Sequence, residues 1–361
     1  MGSSAVHSLS SRGQKVLGIE RFDIPHSEGS SHGVNRVIRL AYYEHPSYVP
    51  LLRRAYELWA DIERTAGEKL LYKTGSIDTS PAGHEVFEGS LESCKIHDIP
   101  HEVLTYSEIN QRFPGYELPA GYMGLLQADG GFVLSERAIV AYANAAIENG
   151  AAIHAREAAV GWEPDGDGVR VFTDRAEYTA ERLVITAGAW SAGMVPALKD
   201  WAVPERQVLA WLQPIEQSLF LPGTFPVFNA YFDEGRYYGF PVFGIPGFKI
   251  GRYHHLEEIA DPDRVDREVS SEDEEILRIA ASKYFPKGNG NLMTLKTCLF
   301  TNTPDEHFII DVLPDHHQVS IAAGFSGHGF KFSSVVGEIL ADLAIDGATR
   351  HDIALLKLGR F

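Results

Sequence analysis

Two stretches near the C-terminus place the chain's most reactive side chains close together. The first, Cys298-Leu-Phe-Thr-Asn-Thr-Pro-Asp-Glu-His-Phe-Ile-Ile-Asp311, sets a lone cysteine ahead of a polar, acid-rich turn. The second, Ala323-Gly-Phe-Ser-Gly-His-Gly-Phe-Lys-Phe-Ser-Ser334, is a glycine loop that opens a helix with Lys331 in its first turn. A cysteine thiolate is a nucleophile, and basic neighbours promote its formation. Backbone N–H groups at a helix start, here after Gly324, Gly327 and Gly329, favour an electron-rich partner. Lys249 lies in Gly-Phe-Lys-Ile-Gly, an apolar setting in which a solvated lysine is unusual unless its stem snorkels outward.

A third pattern sits at the start of the chain. Gly2 lies just ahead of a short apolar-faced helix, and the run Val16-Leu-Gly-Ile-Glu20 ends in an acid eighteen residues after it. A dinucleotide fold runs strand, Gly-x-Gly-x-x-Gly turn, helix, then a second strand ending in an acid that takes ribose hydroxyls. Gly2 matches the third glycine and Glu20 the acid. The first strand and the first two glycines have no counterpart here. A central first strand buries about five branched aliphatics at roughly 1.5–3 kcal/mol each, comparable to a whole domain's stability of about 5–15 kcal/mol. The expectation is therefore a reading frame that begins upstream, or else a truncated product that does not keep its cofactor.

The elements that must position these residues follow from periodicity. A helix over Ser4–Gly13 precedes a buried parallel strand, Val16–Glu20. A loop from His26 to Arg39 is followed by a long amphipathic helix that Ser47 caps and Gly67 ends. Strand-like runs occur at Leu71–Ile77, Ala151–His154, Val169–Thr173 and Leu183–Trp190, and Ser135 caps a helix that Gly150 stops. Residues 205 to 295 are aromatic and strand-rich and include an acidic helix, Ser271–Tyr284. A last helix starts near Phe330. Strands alternating with helices at both ends imply an α/β fold with α+β elements. The expected division is a discontinuous Rossmann-like domain (1–70, 136–205 and 296–361) and a smaller, mainly antiparallel domain (71–135 and 206–295).

Composition narrows the class. At 361 residues with a net charge of -17, the chain is long enough for two domains and too acidic for nucleic acid or an anionic membrane. Its two cysteines, Cys94 and Cys298, make no disulfide framework. The N-terminal residues lack a secretory pattern and no run approaches about 20 apolar residues, so a cytoplasmic protein is expected. No metal site is expected.

Five segments carry a family likeness: Gly29-Ser-Ser-His-Gly-Val-Asn-Arg-Val-Ile-Arg39, Thr186-Ala-Gly-Ala-Trp190, Tyr237-Tyr-Gly-Phe-Pro241, Lys249-Ile-Gly251 and the Cys298–Ser334 region. From Met1 to about Lys357 the chain resembles the monomeric sarcosine oxidase and N-methyltryptophan oxidase group of the glycine and D-amino-acid oxidase flavoproteins. The resemblance implies FAD, joined covalently to Cys298. It implies cofactor contacts at Gly2, Glu20, Ser30, Arg36, Gly188, Trp190, Gly327, Gly329 and Lys331. It also implies that Arg39 and Lys331 hold a substrate carboxylate, that Lys249 promotes reaction with oxygen, and that Tyr238 and His254 line the pocket. The implied activity is oxidation of an N-methyl amino acid at its C–N bond to an imine, with O2 reduced to H2O2, by a monomer. Alternatives are a flavin-free truncated relic, a pipecolate-type imino acid oxidase and an amine dehydrogenase. Two departures stand out: an extra Arg252 leaves His254 and His255 both open for the pocket, and Val34-Asn35 replaces the usual Asp-Thr before Arg36.

Overall fold

The computed structural model describes residues 1–361 as eight α-helices and five β-sheets. In the α/β part, strand Leu17–Ile19 runs parallel to Ala152–His154, and Leu183–Ile185 runs parallel to His316–Ala323. Ile309–Leu313 completes the second of these sheets as an antiparallel neighbour of His316–Ala323. Helices Gly2–Ser10, Tyr48–Ala66, Ser135–Glu148 and Ser333–Asp346 pack over this region. Their apolar stripes, including Leu52, Trp59, Val336 and Leu340, form the larger core.

The second part is an eight-stranded sheet. Its order is Leu292–Asn302, Val203–Leu212, Phe248–Arg252, Gly235–Phe240, Val227–Phe232, Ser76–Pro81, Tyr122–Gln127 and Glu102–Thr105. Only the Val227–Phe232 and Ser76–Pro81 pair is parallel. Its buried face is aromatic, with Phe228, Phe232 and Phe248 packed against helix Ser271–Tyr284 and its C-cap Phe285. That helix begins at Ser270, whose hydroxyl accepts from the Asp273 backbone N–H while Asp273 accepts in return. The expected mixed α/β class holds. The expected division points near 205 and 295 fall inside strands Val203–Leu212 and Leu292–Asn302, both in this sheet.

Local expectations shift in three places. The first helix starts at Gly2, two residues before the expected Ser4, because its N-cap is Met1. Ser135 is the first residue of its helix and Leu134 the N-cap, so no Ser135 cap exists. Strand Leu17–Ile19, and Leu183 and Val184 of strand Leu183–Ile185, are half-buried rather than buried, each strand being hydrogen-bonded along one edge only; Ile185 alone is buried. Strands Ala159–Asp165 and Glu177–Ala180, which flank Gly168–Thr173, carry too little apolar alternation to be read from the sequence.

Candidate active site

The candidate site lies where the two parts meet, and most of its members come from segments far apart in sequence. Lys249 leaves the Phe248–Arg252 strand with 1% exposure. Its ammonium donates to Gly33 O (2.7 Å), Asn35 O (2.9 Å) and Asn35 Oδ1 (3.1 Å). Asn35, one of the two departures noted above, thus anchors the lysine from the loop. Burial, with Arg36 second, pushes the Lys249 ammonium well below its usual range. Val34, beside it, holds φ at 72°. That is a strained value for a β-branched residue, costing on the order of 1–3 kcal/mol.

Cys298 is buried on the Leu292–Asn302 strand, packed with Leu209 and Trp211. Its Sγ lies 3.9 Å from Arg36 Nη2, which also donates to Ser30 O at 2.7 Å. The Ser30 residue is itself exposed and contributes this carbonyl rather than its hydroxyl. Nearby, His32 Nε2 is buried with no hydrogen-bond partner. Burial, then Arg36 and Lys249, lowers the His32 imidazole to about 3, so it is neutral.

Arg39 and Lys331 come together over one ring. The Arg39 guanidinium lies 4.6 Å from the Tyr42 centroid and the Lys331 ammonium 5.1 Å from it. Tyr42 Oη is 2.5 Å from His328 Nδ1, while His328 Nε2 donates to Glu306 O at 2.9 Å. Burial lowers His328 to about 3, and a neutral ring that donates from Nε2 must accept at Nδ1, which fixes the Tyr42 hydroxyl. Arg39 is also held by acids: its Nη2 donates to Glu44 Oε2 (3.0 Å) and its Nε is 3.2 Å from Asp78 Oδ1. Burial would raise the Glu44 carboxyl, but Arg39 foremost holds it down to about 2. Asp78 goes the other way, raised to about 6 by burial against Arg39. Lys331 is lowered to about 7 by burial, with Arg39 second, and its ammonium has a single acceptor, His328 O at 2.6 Å.

Tyr238 links the two ends of the site. It packs against the Cys298 cluster and meets Tyr253 edge-on at 5.2 Å. The two histidines separate clearly. His255 is fully buried and its Nε2 is 3.0 Å from Asp273 Oδ1, inside the Arg206–Asp273 ion pair. His254 lies between Glu205 Oε2 (2.8 Å) and Glu306 Oε1 (3.2 Å), and Glu306 also contacts Arg236. Of the two, His254 adjoins the cluster. His254 and Glu306 hold φ at 51° and 58°, further strain at the same place.

The glycine loop owes its composition to packing. A Cβ on Gly327 would stand 2.3 Å from the Phe300 ring, and one on Gly329 2.3 Å from Phe325. At the other end, Glu20 accepts from Phe22 N at 2.9 Å. The Phe22 and Trp190 rings lie 5.4 Å apart, and Gly188 turns with φ 56°. Gly2 packs so closely that a Cβ would meet Thr186 Oγ1 at 2.8 Å. These residues therefore form a separate group from Lys249, Cys298 and Lys331.

Several members had no expectation attached: Tyr42, Tyr43, Glu44, Asp78, Arg236, Tyr253, Glu306 and His328. Glu44 carried a signal, since it is an acid five residues after Arg39 in a short apolar segment. Tyr42 and Tyr43 are local to Arg39 as well, whereas Asp78, Arg236 and Tyr253 reach the cluster only through long-range folding.

The donor set suits FAD. Gly2 starts its helix so close to Thr186, just past strand Leu183–Ile185, that a Cβ would not fit, which is the kind of close approach the third glycine of a dinucleotide fingerprint permits. The Arg36 guanidinium lies beside the Cys298 thiol, and the unpartnered His32 Nε2 belongs to a ring near enough to feel the Arg36 charge, a setting that suits an electron-rich ring.

Comparison with known proteins agrees. The family model described as DAO, FAD dependent oxidoreductase, matches residues 1–343. The monomeric sarcosine oxidase of Bacillus sp. (strain B-0618) is 40% identical over 365 residues, covering 100% of this chain and 93% of the relative. The N-methyl-L-tryptophan oxidase of Citrobacter koseri is 35% identical, covering 100% and 96%. Among solved structures, NikD, an unusual amino acid oxidase, superposes with a TM-score of 0.84 at 24% identity over 98% of this chain and 94% of its own. The L-proline dehydrogenase of P. horikoshii gives 0.84 at 23%, over 98% and 93%. These two likenesses speak to the fold alone. The chain belongs to the DAO family of FAD-dependent oxidoreductases, alongside the monomeric sarcosine oxidases and N-methyl-L-tryptophan oxidases.

Proposed function

We propose that the chain is an FAD-dependent oxidase of N-methyl amino acids that works as a monomer. The observation that carries this reading is the pair of buried cations, Arg39 and Lys331, over the Tyr42 ring, in a chain 40% identical to a monomeric sarcosine oxidase. A carboxylate suits this pair, because a guanidinium fork and a point charge bind it from two sides. Lys331 has donors to spare, since His328 O takes only one. Glu44 occupies Arg39 and competes with the incoming carboxylate, so binding requires Arg39 to exchange one acid for another.

FAD, when bound, supplies the electron acceptor for C–N oxidation and passes the electrons to oxygen. Gly2 and Glu20 hold its dinucleotide end, and Arg36, Gly327 and Gly329 its ring end. Cys298 is the covalent attachment point, favoured by the cationic Arg36 beside its Sγ. Lys249 has an acceptor for each of three N–H donors, which favours the ammonium form against the effect of burial, and that charge stabilises the anion that develops as oxygen is reduced. Tyr238 and His254 close the pocket. Asn35 holds Lys249 in place and is a positioning residue.

Peroxide release is the direct test, with the FAD-loaded protein and sarcosine, N-methyltryptophan or pipecolate offered separately. Turnover of an N-methyl substrate supports the reading, and inactivity on every N-methyl amino acid refutes it. Yellow colour that survives acid precipitation, and is lost in Cys298→Ala, reports the covalent bond.

A further inference from the structure

We propose that the preferred substrate carries a second carboxylate and that Arg236 receives it, which points to N-methyl derivatives of acidic amino acids such as N-methylaspartate or N-methylglutamate. The inference rests on the reading that Arg39 and Lys331 take the first carboxylate. Arg236 and Tyr238 alternate by two along strand Gly235–Phe240, so both side chains leave the same face of the sheet. The Arg236 side chain is 14% exposed. Its guanidinium lies 3.7 Å from the Tyr253 centroid and 5.0 Å from that of Tyr43.

Its hydrogen bonding is incomplete. Nη1 donates to Glu306 Oε2 at 3.2 Å, whereas Nε and Nη2 are buried and donate to nothing. Nη2 is 3.8 Å from Glu44 Oε1, beyond a hydrogen bond. Buried donors left unpaired are destabilising, and a planar fork with open N–H groups is matched by a carboxylate.

Glu44 connects this open fork to the first site. Arg39 Nη2 donates to both Glu44 oxygens, at 3.1 and 3.0 Å, so the two guanidinium groups converge on one carboxylate. Both also face the Tyr43 ring, Arg39 at 4.8 Å and Arg236 at 5.0 Å. A ligand with two carboxylates on a short carbon chain spans such a pair. Sarcosine, with one carboxylate, leaves Nε and Nη2 of Arg236 without an acceptor. A large apolar side chain would leave those same N–H groups buried without an acceptor.

The test uses the FAD-loaded protein. Oxygen consumption is measured with N-methylaspartate, N-methylglutamate, sarcosine and N-methylalanine, for the natural chain, Arg236→Met and Arg236→Lys. In parallel, dissociation constants of succinate, glutarate and propionate are measured by calorimetry. In the natural chain at least one N-methyl dicarboxylate is expected to exceed sarcosine in kcat/KM by about 10-fold or more, and succinate or glutarate to bind at least about 10-fold more tightly than propionate. Arg236→Met is expected to lower the dicarboxylate-to-sarcosine ratio by about 30-fold or more, the effect of truncating one partner of a buried charge pair. Arg236→Lys restores only part of it, because a point charge lacks the fork. Sarcosine turnover equal to or above both dicarboxylates, with propionate bound as tightly as succinate and glutarate, overturns the inference without reference to any variant. Tight dicarboxylate binding with no oxidation of any N-methyl amino acid supports the second-carboxylate site while refuting the oxidase reading.

Discussion

At the scale of residues, Lys331 and Lys249 are two buried ammonium groups put to different uses by their partners. Lys331 has one acceptor and a proton affinity lowered by burial to about 7, so its charge is sensitive to pH. Asp78, raised by burial to about 6, gains its negative charge slightly earlier as pH climbs. Both changes make the site less attractive to an anion. Binding of an unreactive carboxylate such as acetate should therefore weaken as pH rises from about 6 through about 7, with a slope of up to about tenfold per pH unit. Titration of the FAD-loaded protein at several pH values checks this, and affinity that is flat across the window contradicts it. Lys249 is saturated by Gly33 and Asn35, and none of its donors is left for a substrate. Lys249→Met should slow reoxidation by oxygen by at least about 100-fold, the size of effect seen when one electrostatic stabiliser is removed. Reduction by substrate should slow far less. Stopped-flow measurement of the two half-reactions separates them, and equal slowing would refute the assignment.

At the scale of elements, the helices show what the sequence made legible and what it did not. Tyr48–Ala66 has an apolar stripe with a left-handed Gly67 at its end, and Ser271–Tyr284 has a capping box, so both could be read locally. The tight packing at Gly2 could be read as well, because a glycine at a helix start marks a close approach. The contact of the first helix with the last could not, since Gly337 looks like an ordinary helix-weakening residue. Its missing Cβ is what admits the backbone of Ser4: a Cβ there would lie 2.6 Å from Ser4 C and 2.7 Å from Ser4 O. Ser4 Oγ in turn donates to Ser333 O at 2.5 Å. Gly337→Ala gains about 1 kcal/mol of helix propensity, but overpacking costs about 1–3 kcal/mol. Backbone atoms cannot rotate aside, so overpacking should win. A lowered urea midpoint is expected, and an unchanged or raised one would show that the helices separate freely. The site was legible where one segment carries its own signal, as in Cys298 to Lys331. Arg236, Asp78 and Tyr253 were not, because their partners come from other segments: Asp78 meets Arg39, and Arg236 meets Glu44 and Tyr253.

At the scale of the whole molecule, charge ties the parts together. His254 joins Glu205 on strand Val203–Leu212 to Glu306 in the turn after strand Leu292–Asn302. The hydrogen bond to Glu205, then that to Glu306, raises the imidazole from 6.5 to about 9. A raised folded value means that the stabilisation is complete below 6.5 and is lost as pH rises through about 9. The Tm advantage of the natural chain over His254→Gln should shrink across that interval, and a constant difference would contradict the ion-pair reading. No helix is long and apolar enough to cross a membrane. The central claim, that Arg39 and Lys331 present an N-methyl amino acid to FAD, is tested most directly by anaerobic mixing of the FAD-loaded protein with saturating N-methyl amino acids. The account predicts that the yellow flavin band bleaches and returns on admitting air, with peroxide formed. A band that stays unbleached with sarcosine, N-methyltryptophan and the N-methyl dicarboxylates alike would contradict it.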